Sequence, residues 1–294
     1  MSNTAPTLAT PQDPEAELAA LRGELDRLDD ALHDLLMRRA ETVGLLARLN
    51  AKAGMPLRPG REATIIRRLL ARHGGALPRQ AVVRIWRELF AATTAMQGLF
   101  TIAVCEPAAD AGFTAIAREH FGAMTPLHAH RSPSQALGEV SVGNAAAAVL
   151  PMPSEMDNTG ESWWTSLLQS GETRMYVVAR LPFWAPRPEG APRAQALVVA
   201  AVPPDPSGND RALVGLEIPA ELSRGSLNAA LAAAGLQPGP VILRREAGSP
   251  TAHALAEIAG HLADDDPRLP AIVGLRRPPV VLGAYAVPED GVAA

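Results

Sequence analysis

The chain has 294 residues, 47% of them hydrophobic, and a formal net charge of -4. That length suits two or three ordinary domains, and the mild acidity argues against a general nucleic-acid binder. The lone Cys105 excludes an internal disulfide and a cysteine-based zinc site, and no stretch reaches the ~18 apolar residues of a membrane span.

Residues 1–13 are polar and Pro-rich, with neither a basic n-region nor an apolar h-region. They read as a disordered leader of a soluble, cytoplasmic protein and not as a signal peptide. Leu18, Leu21, Leu25, Leu28, Leu32 and Leu35 then recur at alternating spacings of three and four, the seam of a helix packed along another helix. The pattern runs on through Leu36, Val43, Leu46 and Leu49 until Gly54 and Pro56 stop it. At 1.5 Å per residue such a helix is roughly 60 Å long. It cannot fold back on its own domain along that length, so a homodimer is expected; a generic coiled coil is the alternative. A second helix is predicted over residues 61–73, ended by Gly74-Gly75, and a third over 78–100, opened by Pro78. Together the three make an all-α unit over residues 14–100.

From Thr101 the pattern becomes α/β. Strands are predicted at 101–105, 145–150, 175–179 and 196–202, with helices at 113–121 and 132–140, giving an α/β lobe over 101–202. Residues 182–193 contain four prolines and read as a hinge or linker. After a loop at 202–210, strands are predicted at 212–218, 241–245 and 280–286 and helices at 226–234 and 251–262. These form a small α+β unit over 211–288.

Arg22, Arg39, Arg61, Glu62, Thr93 and Gln97 fall on the core-facing stripes of the three N-terminal helix patterns. A buried unpaired charge is expensive, so polar groups turned inward suggest a pocket for a small, multiply anionic ligand. Taken singly, each has a blander reading. Arg22 and Arg39 can pair with Glu24, Asp26 or Asp29 on a solvated face. Glu62 suits the first turn of a helix dipole, and Gln97 suits a helix end.

The stretches LRGELDRLDDALHDLLMRRAETV, PLRPGREATIIRRLL and IWRELFAATTAMQ, in that order over residues 16–98, resemble the all-helical chorismate mutase family. The resemblance implies an intertwined dimer that rearranges chorismate to prephenate without metal or other cofactor. Such a reaction is accelerated by holding a compact conformer and stabilising charge on the breaking ether oxygen. By the resemblance, Arg39 holds one carboxylate of chorismate and Arg22 the other, with Arg22 reaching in from the second subunit. Arg61 adds positive charge, Glu62 accepts a hydrogen bond from the ring hydroxyl, Gln97 donates to the ether oxygen and Thr93 supports a carboxylate. The family usually has Lys eleven residues after the arginine at Arg39, three turns on and on the same face. Here that position is Asn50, a neutral donor that stabilises developing negative charge less than an ammonium. Three alternatives follow: a slow enzyme, a rewired pocket in which Arg58 or Arg48 supplies the charge, or a lost activity. The acidic residue often found before the Arg-Glu pair is replaced by Arg58-Pro59-Gly60.

The order of units also resembles bifunctional chorismate mutase–prephenate dehydratases, whose last domain is an ACT domain. AVLPMPSEMDNTG (148–160), LVGLEIPAELSRGSLNAALAAAGL (213–236) and VVLGAYAVP (280–288) carry that likeness. The dehydratases have Thr-Arg-Phe before the strand leading into the ACT domain, where this chain has Ala194-Gln195-Ala196. The stretch between Leu181 and Ala194 is too short for a second lobe. Dehydratase activity is therefore not expected. Glu155, Asp157 and Asn158 read as loop residues, and His128 and His130 as ordinary surface histidines. A non-catalytic regulatory or binding protein of the aromatic amino-acid pathway is the alternative to a mutase.

Overall fold

The structure is a computed structural model that describes residues 14–49, 57–98, 100–157, 162–169 and 173–291. The chain divides into two compact units, Met1–Ala53 and Gly54–Ala294. In the first, a single helix α1 covers Pro14–Leu49, 36 residues with Glu15 and Glu17 in the first turn and Arg48 in the last. These charges complement the helix dipole. The leucine seam of the sequence is on its surface. No residue of α1 is buried, and Leu18, Leu21, Leu25, Leu28, Leu32 and Leu35 are 47–60% exposed.

The second unit begins with α2 (Pro59–Ala71) and α3 (Arg79–Ala95), both amphipathic. Ala63, Ile66 and Leu70 of α2 pack with Val82, Val83 and Phe90 of α3 on Phe183, Trp184 and Ala286 of the α/β part. The third helix was predicted to reach residue 100. It ends at Ala95 because Phe100 leaves the helix to enter a different core, beside Ile102, Ile116 and Phe121.

One nine-stranded sheet follows, in the order β2-β1-β3-β5-β4-β9-β6-β8-β7. Strands β1 (Ile102–Cys105), β2 (Leu127–His130) and β3 (Ala147–Pro151) are parallel. Helix α4 (Phe113–Phe121) packs on Ile102 and Val104, and α5 (Pro133–Ser141) packs on Ala103 and Cys105 of the opposite face. With both faces covered, β1 is a continuous apolar run. Ser132 and Gln135 form a capping box at the start of α5. Strand β2, an edge strand of sequence LHAH with half-exposed residues, was not predicted. Nor was the 3-10 segment Trp163–Leu168 that buries two tryptophans.

Strands β4 (Tyr176–Leu181) and β5 (Ala196–Ala200) pair antiparallel. The last part contains β6 (Asp210–Pro219), α6 (Arg224–Ala233), β7 (Pro238–Arg245), β8 (Thr251–Ala259) and β9 (Val280–Ala286). Residues 251–262 were predicted as a helix, and here the structure corrects the sequence reading. Their alanines favour helix, but Ala252, Ala254, Ala256 and Ile258 alternate onto the core beneath α6. Strand β8 is hydrogen-bonded to β6 on one side and β7 on the other. It adds a fourth strand to the three that were predicted, and it gives this part the order β9-β6-β8-β7. That is a split βαβ arrangement of the ferredoxin type, with a loop and a short 3-10 turn (Leu269–Ala271) in place of the second helix.

The sheet continues across residues 202–210 through the parallel contact of β4 with β9 at Val177 and Gly283. Gly283 has φ +131°, and a Cβ there would lie 2.1 Å from the Val177 carbonyl oxygen. Only glycine allows the two strands to approach this closely.

Candidate functional site

Helix α2 has no side-chain cap of its own, and its first N–H groups need acceptors. The acceptor is Asp205, from the loop before β6. Gly60 N donates to Oδ1 at 3.0 Å and Arg61 N to Oδ2 at 2.8 Å, while Arg58 Nε lies 3.4 Å from Oδ2. A carboxylate at a helix N-terminus is favoured by the dipole as well as by the hydrogen bonds. The approach requires Gly60, since a Cβ there would sit 2.0 Å from the Asp205 carbonyl oxygen. Nearly two turns on, Arg67 fastens α2 to the same loop and to the C-terminal segment. Its Nη1 donates to Ser207 Oγ at 2.8 Å, its Nε to Glu289 at 2.6 Å and its Nη2 to the Val287 carbonyl at 2.6 Å.

Glu62 faces α3. Its Oε2 accepts from Nη1 of Arg87 at 2.7 Å, and the Arg87 side chain is 4% exposed. The guanidinium lies over the Phe183 ring, 4.9 Å from its centroid, in cation–π geometry. The same Nη1 lies 3.4 Å from Nε2 of His120 on α4, and since arginine can only donate, Nε2 accepts. Burial pulls the Arg87 pKa down, and the carboxylates of Glu62 and Glu119 oppose that shift. Burial, and then the Arg87 charge, push the His120 imidazole well below its usual 6.5, so the ring is neutral near pH 7. Glu119, next to it, is held by both terminal nitrogens of Arg187 at 2.7 and 2.8 Å.

At the far end of α3, the buried Thr93 donates from Oγ1 to the Leu89 carbonyl at 2.8 Å. Gln97 Nε2 donates to the Thr93 carbonyl at 3.0 Å. Both donors thus rest on the helix backbone, and because Gln97 is exposed, its bond can be exchanged for one to a ligand at little cost.

The sequence-derived residues therefore fall in distinct places. Arg58, Arg61 and Glu62 share the start of α2, with Asp205 on their backbone and Arg87 on the Glu62 carboxylate. Thr93 and Gln97 share the end of α3. Arg22, exposed, and Arg39, half-buried, lie on α1 in the first unit. Asn50 lies outside the described residues. Burial agrees with an inward orientation for Thr93 and in part for Glu62 and Arg39, but Arg22, Arg61 and Gln97 are exposed on this chain. Glu155 pairs with Arg224 at the start of α6, while Asp157 Oδ2 accepts from Ser154 N at 2.8 Å within the loop; Asn158 lies outside the described residues. Among the described residues no three His, Cys, Asp or Glu side chains form a group that could hold a metal ion, and His128 is 4.0 Å from Glu139.

Arg87, His120 and Asp205 were not singled out from the sequence. For Arg87 a signal existed, since it follows Val83 and precedes Phe90 on one helical face. For His120 it was weaker, the spacing to Ile116 and Phe121 on α4. For Asp205, 144 residues from Arg61, there was none.

In comparison with known proteins, the family model described as chorismate mutase type II matches residues 21–98. The N-terminal region thus carries a chorismate mutase type II domain. A bifunctional chorismate mutase/prephenate dehydratase of Aquifex aeolicus is 32% identical over 131 residues, 43% of this chain and 35% of that protein. A protein of the same description from Pseudomonas aeruginosa is 28% identical over 163 residues, 52% of this chain and 43% of that protein. The chain spans less than half the length of these curated relatives. Among solved structures, a prephenate dehydratase from Streptococcus mutans is similar with a TM-score of 0.47 and 15% identity, covering 64% of this chain and 98% of that one.

Proposed function

We propose that the chain is a homodimeric chorismate mutase that rearranges chorismate to prephenate in the cytoplasm, with residues 14–100 as its mutase part. Residues 101–202 and 211–288 form a dehydratase-like α/β lobe and an ACT-like unit without dehydratase activity. The observation that carries this reading is the type II match over residues 21–98, a stretch that includes Arg22, Arg39, Arg61, Glu62, Thr93 and Gln97 together. The rearrangement is unimolecular, so the residues need only bind, orient and stabilise charge. Arg39 and Arg22 hold the two carboxylates, each through a planar fork suited to bidentate binding. Arg61 and Arg58 add positive charge at the start of α2. Glu62 accepts from the ring hydroxyl, Thr93 supports a carboxylate, and Gln97 with Asn50 donates to the ether oxygen. The exposed leucine seam of α1 supports the dimer, since six such side chains on one solvated stripe call for a partner.

The absence of dehydratase chemistry is supported by Ala194-Gln195-Ala196. Gln195 Oε1 accepts from Arg180 Nη2 at 3.1 Å and Ala196 is buried in β5, so this stretch presents neither a hydroxyl nor a guanidinium of its own. Residues 182–193 form no second lobe, and all nine strands of the described residues lie in one sheet.

Asn50 favours a second reading, a non-catalytic protein that binds a dicarboxylate and modulates a partner enzyme of the same pathway. Two substitutions separate the readings. On the mutase reading Asn50→Lys raises the rate of chorismate loss and Gln97→Ala lowers it at least about tenfold, as expected when a charge-stabilising donor is lost. If neither change alters turnover, the mutase reading loses its mechanism.

A further inference from the structure

Arg87 has no role among the residues assigned above, yet it is the most buried charged residue among the described residues of the second unit, 3% exposed. It lies on the inward face of α3 with Val83, Phe90 and Thr94. A guanidinium in such a place is tolerated only when it is paired and its planar surfaces are occupied. Four groups meet those needs: the Glu62 carboxylate at 2.7 Å, the neutral imidazole of His120 at 3.4 Å, the Phe183 ring at 4.9 Å, and the field of Glu119. Three of them come from the α/β part. Held on these sides, the arginine has a fixed rotamer, and so does the carboxylate oxygen that it grips.

We infer that Arg87 is a positioning residue for Glu62, fixing the place and charge of the carboxylate that receives the substrate hydroxyl. The inference rests on the mutase reading proposed above and extends it. Through His120 and Phe183 it makes the α/β region part of the frame that supports the mutase chemistry. A buried ion pair that served stability alone would be replaceable by apolar residues of similar volume without effect on turnover.

The test is a double-mutant cycle on the full chain, with kcat and KM for chorismate loss and a thermal melt for each protein. The variants are Arg87→Met, Arg87→Lys, Glu62→Gln and the pair Glu62→Gln with Arg87→Met. If Arg87 acts through Glu62, Arg87→Met lowers kcat about tenfold with KM changed less than about threefold, and Arg87→Lys, which keeps the charge, recovers part of the loss. In the Glu62→Gln background the same change costs less than about threefold, because coupled residues are not additive. A folded Arg87→Met with the wild-type kcat, or an equal loss in both backgrounds, overturns the inference. Should Arg87→Met fail to fold, the cycle is run with Arg87→Lys in both backgrounds and read by the same criterion. Wild-type protein without turnover overturns the mutase reading and the inference with it, whereas an active wild type with an additive cycle overturns the inference alone.

Discussion

Substituting Asp205 by Ala is the sharpest probe of how α2 is held. Asp205 stands in for the helix cap that the local sequence does not provide: it accepts from Gly60 N at 3.0 Å and Arg61 N at 2.8 Å. Gly60 is buried, so water does not readily replace the lost acceptor. Loss of an N-cap costs ~0.5–2 kcal/mol. The contact with Arg58 adds little, since that side chain is 68% exposed at 3.4 Å, and such pairs contribute only a few tenths of a kcal/mol after screening. We expect about 1.5 kcal/mol for Asp205→Ala, which for a unit of this size lowers Tm by about 3–6 °C. Asp205→Asn keeps an acceptor oxygen and should lose roughly half as much. The assay is thermal unfolding followed by circular dichroism, with amide hydrogen exchange read at Gly60 and Arg61. An Asp205→Ala protein with the wild-type Tm and unchanged exchange at those two amides would refute the capping argument.

Acidification should destabilise the fold through His120. The ring is neutral when folded because its pKa lies well below 6.5, while the unfolded chain protonates near 6.5. Between those values the unfolded state binds more protons, so stability is level above about pH 7.5 and falls as pH drops below 6.5, by up to about 1.4 kcal/mol per pH unit. Urea titrations between pH 5 and 7.5 should show this slope reduced in His120→Gln; an identical slope in the two proteins would contradict it. For α1, Leu28→Asp places a charge in the middle of the exposed leucine seam and should convert the proposed dimer to a monomer in sedimentation velocity. A wild-type protein that already sediments as a single 30.9 kDa chain at tens of micromolar would rule out the dimer.

Elements held by local pattern were legible in the sequence. The 3-4 spacing of leucines marked α1, the buried run ending at Cys105 marked β1, and Val280–Ala286 was read at its observed bounds. Strand β8 was misread because composition and pairing pointed in opposite directions. Its alanines favour helix locally, while its two neighbours in the sheet reward extension. The alternation of Ala252, Ala254, Ala256 and Ile258 was present but weak, since alanine gives little contrast between buried and exposed positions. The site divides in the same way. Arg61, Glu62, Thr93 and Gln97 stood out through family resemblance and helical spacing, and Arg87 had a helical signal that went unread. Asp205 could not be found from sequence, because a loop carboxylate capping a helix 144 residues away leaves no local trace. Arg67 belongs to the same class, with partners at 207, 209, 287 and 289.

The central claim is that this chain turns chorismate into prephenate and goes no further. It is tested most directly by following chorismate absorbance with the purified 294-residue chain while assaying phenylpyruvate in the same samples. The account predicts loss of chorismate, formation of prephenate and no phenylpyruvate. Chorismate that stays unchanged at high protein concentration would contradict the mutase reading, and phenylpyruvate formed by the protein would contradict the absence of dehydratase chemistry at Ala194-Gln195-Ala196.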